Sequence, residues 1–178
     1  MSVEAPTSTR SLRHTISVPS VREFQHRYEA AVPDLPADAV AALLRRQAPW
    51  SEMEALIESS APHGFLFYSK NEAGPLMRAA GNDAECRWYL MGNHVLAERM
   101  FRHDPRVMLY APLRTVIWED QRGDAWFTLD QPSTQFASFG IPEIAEVGLE
   151  LDSKLAALLR ALEVDVPAEL ESEPTPHR

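Results

Sequence analysis

Residues 11–18 alternate: Leu12, His14, Ile16 and Val18 interleave with Arg13, Thr15 and Ser17, a period of two that predicts a strand. Pro19 and Ser20 then open a helix over 20–32, in which Phe24, Tyr28 and either Val21 or Ala31 share a face. Residues 34–61 read as a helical insertion of two short helices divided at Ala48-Pro49-Trp50. Pro36 opens the first, with Val40, Leu43 and Leu44 as its stripe. Ser51 caps the second in this reading, with Glu54 completing a capping box and Met53, Leu56 and Ile57 buried.

From residue 62 the texture changes to strands. His63–Tyr68 is apolar at successive positions, which predicts a central strand covered on both faces. Turns at 71–74 and 81–83 bracket a short strand over 75–80, and Cys86–Met91 forms another strand. The run 106–120 is β-rich and interrupted by Pro112, which cannot donate to a ladder. Residues 121–124 make a hairpin turn into 125–129. A long helix closes the pattern over 142–163, with Pro142 at its first turn and Ile144, Val147, Leu151, Leu155, Leu158 and Leu162 as its apolar stripe. The fold class expected is α+β: an antiparallel sheet with helices on one face. One domain over 11–163 is flanked by a flexible tail at 1–10 and a disordered acidic, proline-rich tail at 164–178, where His177 is idle.

The apolar fraction of 45% over 178 residues is enough for a sizeable core. A formal charge of −9 argues against nucleic acid or anionic lipid as a partner. Residues 1–10 lack the apolar stretch of a signal peptide, and no run is long enough for a membrane span, so a cytoplasmic location is expected. The lone cysteine, Cys86, excludes an intramolecular disulfide and a cysteine-rich zinc site. Nucleotide-loop, zincin and nucleophile-elbow motifs are absent.

Chemistry concentrates in residues 86–114. A strand runs into Gly92-Asn93 and then a helix over 94–103. Gly92 allows a tight turn, Asn93 suits the N-cap, and the N–H groups of His94 and Val95 would favour a carboxylate, phosphate or carbonyl oxygen. The structural alternative is a simple cap with water beside it. His94, Glu98 and Arg102 stand at i, i+4 and i+8 and so form one polar stripe. That stripe is either a solvated face or the setting for His94 as acid, base or ligand. Arg114, inside an apolar run, either faces outward or needs an anionic partner.

The stretch Tyr89-Leu90-Met91-Gly92-Asn93, the helix after it, Met108–Arg114, Ile117–Asp120 and Gly123 resemble family 302 of the domains of unknown function over about 60–162. The resemblance implies a TATA-binding-protein-like β-α-β4-α fold and pairing as a homodimer; it implies no established activity. His94 stands where that family commonly has proline, and Ala111 where it commonly has leucine. Proline there is a backbone device, whereas an imidazole at a helix N-terminus, its pKa lowered by the dipole, can act as a base or a ligand.

Three functions are therefore expected. The first is a small-molecule pocket, binding or catalytic, built from Gly92, Asn93, His94, Glu98, Arg114, Trp88 and Tyr110. Arg114 is its candidate anion partner, and Phe65, Phe67, Tyr89, Trp118 and Trp126 complete its walls. The second is a haem or metal site with His94 as ligand and Cys86, Met91, Met100 or His103 nearby. The third is a homodimeric interaction module without chemistry.

Overall fold

The alternation at residues 13–18 becomes β1 (Arg13–Val18), with His14, Ile16 and Val18 buried and the residues between them exposed. In the computed structural model, which describes residues 7–171, β1 joins β2 (Leu66–Glu72), β3 (Cys86–Gly92), β4 (Leu113–Glu119) and β5 (Ala125–Asp130). Together they form one antiparallel sheet in the order β1-β5-β4-β3-β2. Seven α-helices accompany the sheet among the described residues: α1 (Val21–Ala31), α2 (Ala37–Arg45), α3 (Trp50–Ser60), α4 (Gly74–Ala79), α5 (His94–Phe101), α6 (Pro132–Phe136) and α7 (Pro142–Ala161). The fold is the expected α+β arrangement, and α2 and α3 make up the helical insertion. No helix among the described residues is long and apolar enough to cross a membrane.

One face of the sheet carries the main core. Tyr89 and Met91 of β3, Leu113 and Ile117 of β4, and Phe127 and Leu129 of β5 are buried with Phe24 and Tyr28 of α1 and the stripe of α7. Tyr28 sits at the centre, its ring edge-on to Phe67, Tyr89 and Phe127, and its hydroxyl bridges Met91 Sδ and Thr115 Oγ1 at 3.0 Å each. The opposite face presents Trp88, Val116, Trp118 and Trp126, each partly exposed.

Several local expectations are corrected. The strand at 63–68 is not central: β2 is a sheet edge. It is apolar on both sides because Phe67 enters the main core while Leu66 packs under the insertion with Ile57 and Ala61. Residues 75–80 are helical, since Pro75 fits the first turn of α4. The β-rich run 106–120 begins with a 3-10 turn over Pro105–Leu109, because Asp104 accepts from Arg106 N at 2.8 Å and starts a helical turn instead. Ser51 does not cap α3: the helix starts a residue earlier at Trp50, whose indole donates to Glu54 at 2.7 Å and removes that carboxylate from any capping box.

Residues 164–171 also depart from the expected tail. Val164 and Val166 pack on the core, and Leu170, in a 3-10 turn, is buried. Their apolar side chains find a groove beside α7 that composition alone does not disclose. Residues 1–6 and 172–178, with His177, lie outside the described residues; Thr9, within the expected amino tail, accepts from the Tyr110 hydroxyl at 3.1 Å.

A buried polar knot fastens this end of the fold. Asp152 of α7 accepts from Ser133 N at 3.0 Å, from the Ser133 hydroxyl, and from Gln131 Nε2 at 2.6 Å. Gln131 Oε1 accepts from His14 Nε2 at 3.2 Å, and Gln131 Nε2 also reaches Glu169 O at 3.2 Å. Thus β1, α6, α7 and the last turn are tied through two side chains. Burial pushes the Asp152 carboxyl above the usual 3.8, against the hydrogen bonds from Ser133 and Gln131. A group with a raised folded-state pKa favours folding below its unfolded value, and that contribution is lost as pH rises through the folded value. Asp152→Ala should cost about 2–3 kcal/mol in urea unfolding by stranding the donors of Ser133 and Gln131. As pH rises above 3.8, the wild type should lose stability that Asp152→Asn keeps, as urea unfolding at a series of pH values would show.

Candidate functional site

At the end of β3 the chain must leave the sheet and begin α5 within two residues. Gly92 is buried, and a Cβ added there would stand 3.0 Å from the Tyr68 ring and 3.6 Å from Pro112. The absence of a side chain at 92 is what lets Tyr68 lie over the turn. Asn93 is extended, and its Oδ1 accepts from Val95 N at 2.8 Å and Leu96 N at 3.3 Å, while its Nδ2 donates to Gly64 O at 3.1 Å. Both the oxygen and the nitrogen of the amide therefore have partners. Of the two N–H groups expected to meet an anion at this helix end, Val95 N is taken by the cap.

His94 is the first residue of α5. Tyr68 OH and His94 Nδ1 share a hydrogen bond of 3.0 Å, and the two rings meet edge-on with centroids 4.9 Å apart. A register shift between Phe67 and Ser69 on β2 puts Tyr68 at an irregular point of the strand, where its ring can turn toward α5. His94 as a whole is exposed, yet enough of its imidazole is shielded for burial to push its pKa below 6.5. The expected direction holds; its cause is desolvation rather than the helix dipole. Burial likewise pushes the Tyr68 phenol far above 10, so it keeps its proton.

Behind this pair lies a cavity of about 200 Å³. Its walls come from Leu96, Ala97 and Met100 of α5, the Ala111–Leu113 entry to β4, and Phe136 and Leu151 of α6 and α7. Exposed Met108 stands at its margin. Gly92, Asn93, His94 and Tyr68 close one side, and no lining residue carries a formal charge at neutral pH.

A family model described as "Domain of unknown function DUF302" matches residues 51–162. The chain belongs to the DUF302 family. Its fold is also similar to a solved structure, "Crystal structure of uncharacterized conserved protein DUF302 from Bacillus stearothermophilus", at 14% identity and a TM-score of 0.58. That similarity covers 85% of this chain and 97% of the other. No curated protein matches the chain.

In this DUF302 chain the structure brings Gly92, Asn93 and His94 to one cavity but not the other expected residues. Arg114 and Trp88 lie on the far face of the sheet, the guanidinium 5.0 Å above the indole ring. Leu113 and Thr115 point inward, so Arg114 between them points out. Glu98 pairs with Arg102 along the surface of α5. Tyr110 packs edge-on to Phe136 and Phe139 beside a separate depression. Phe65, Phe67 and Tyr89 are spent in the core, and Trp118 stacks with Trp126 on the outer face. Of the expected metal companions only Met100 lines the cavity. Met91 is buried against Tyr28, and Cys86 sits half-buried on β3 with its thiol pKa pushed up by burial. Among the described residues no group of three His, Cys, Asp or Glu could hold a metal ion. Tyr68, the partner sequence reading missed, is 26 residues from His94; the aromatic residue ending the apolar run at 63–68 was its only local signal.

By proton NMR, His94 should titrate with a midpoint below 6.5. Tyr68→Phe should leave it below 6.5, because shielding of the ring and not the phenol causes the shift.

Proposed function

We propose that this DUF302 chain binds a small molecule in the cavity beside His94. One observation carries the reading: a tethered imidazole among the residues that line an apolar hollow. His94 Nδ1 is committed to Tyr68, while Nε2 has no hydrogen-bond partner among the described residues. A mostly apolar hollow with one or two oriented polar groups is the usual form of a ligand site. The shielded, neutral imidazole can donate or accept there according to its tautomer. A catalytic role would use the same ring nitrogen as proton acceptor. Haem fits poorly, since about 200 Å³ is below the roughly 300–1,000 Å³ of drug-sized pockets.

The test is a set of small aromatic alcohols, amides and acids, followed by methyl NMR of Met100 and Met108. Some members should shift both methyls saturably. His94→Ala should remove those shifts while changing stability by no more than about 1 kcal/mol. Hits that survive His94→Ala would defeat the assignment.

A homodimer through the outer sheet face is a second reading, favoured by the partly exposed Trp88, Val116, Trp118 and Trp126 there. A contiguous aromatic surface of this kind commonly marks an interface. Light scattering should give twice the chain mass for the wild type and a single chain mass for Trp88→Glu; a monomeric wild type ends this reading.

A further inference from the structure

The cavity's dimensions and its lack of charge narrow the ligand class, an inference that rests on the pocket reading above. The polar side chains of the lining are those of Tyr68, Asn93 and His94. Asn93 spends its oxygen on Val95 N and Leu96 N and its nitrogen on Gly64 O. Tyr68 spends its hydroxyl on His94 Nδ1. Among the lining side chains, that leaves His94 Nε2 as the nitrogen or oxygen with no hydrogen-bond partner among the described residues. No arginine, lysine, aspartate or glutamate lines the space, and the arginine expected to serve an anion, Arg114, stands on the opposite face of the sheet. The imidazole is held toward its neutral form by burial, so it supplies no charge near neutrality.

A carboxylate or ammonium group entering here would give up water without gaining a counter-charge, a cost far above that of burying an amide or hydroxyl that finds its partner. Size sets the other bound. Dry apolar cavities of about 150 Å³ admit benzene, and this one is about 200 Å³. Leu96, Met100, Phe136 and Leu151 offer a ring or short branched chain only dispersion and burial, and Met108 at the margin can shift to admit it.

We propose that the cavity takes an uncharged molecule of benzyl alcohol size, its apolar body against α5, α6 and α7 and its one hydroxyl or carbonyl on His94.

Benzyl alcohol, benzoate and benzylamine share one ring and differ in charge, so titrating each at pH 7.5 against the Met100 and Met108 methyl resonances separates the possibilities. Benzyl alcohol should bind saturably and at least tenfold more tightly than either ion. Ala97→Phe, which fills the space from α5, should abolish its shifts while the circular dichroism melt stays cooperative. Benzoate or benzylamine binding as tightly as the alcohol would overturn the uncharged class and leave the pocket standing. Silence from all three, or alcohol shifts that persist in Ala97→Phe, would overturn the pocket itself.

Discussion

The Tyr68 ring rests directly on the backbone of Gly92, and the chemistry of this end of the molecule follows from that contact. A side chain at 92 would meet the ring at 3.0 Å, so the ring would have to give by a few tenths of an ångström. With glycine there, Tyr68 reaches the first residue of α5 and fixes the His94 imidazole by its Nδ1. The turn, the bulge on β2 and the start of α5 thus form one mechanical unit. The cavity lies on its inner side because α5 leaves the sheet at the corner where β4 enters.

Much of the architecture was legible because burial has a period. The stripe of α7 and the alternation of β1 follow from single-face burial and were read at their positions. What failed was inference from composition without a partner in view. Leu66 and Phe67 suggested a central strand, but the second cover came from the insertion helices packed at the sheet edge. Residues 105–109 looked extended by propensity, and the Asp104 side chain overrode that preference with a local hydrogen bond. Leu170 falls in a tail expected to be disordered, yet it is buried.

The site was legible where the residues were local and illegible where it depended on which face each occupied. Gly92, Asn93 and His94 are consecutive, so their proximity needed no fold. Arg114 and Trp88 were drawn into the pocket by closeness in sequence and chemical appeal. Strand parity already argued otherwise, since Leu113, Thr115 and Ile117 form the buried set on β4 and Arg114 falls between them. Tyr68 escaped notice because the bulge that re-aims it is a property of pairing, which a single strand's sequence does not display.

A histidine is readily accommodated at position 94 for a reason visible in the turn itself. The first N–H of a helix is an orphan in any case, so the residue there contributes to helix initiation chiefly through its φ angle. Here Asn93 already supplies the initiation: it holds two of the following amides and anchors to Gly64 O. A cap of this type is worth about 1 kcal/mol, comparable to what a pre-set φ contributes. With the cap in place, residue 94 carries little of the burden of starting α5. Its side chain is released from structural duty at a point where a tyrosine orients it and it lines an apolar hollow, which is what the proposed recognition role asks of it.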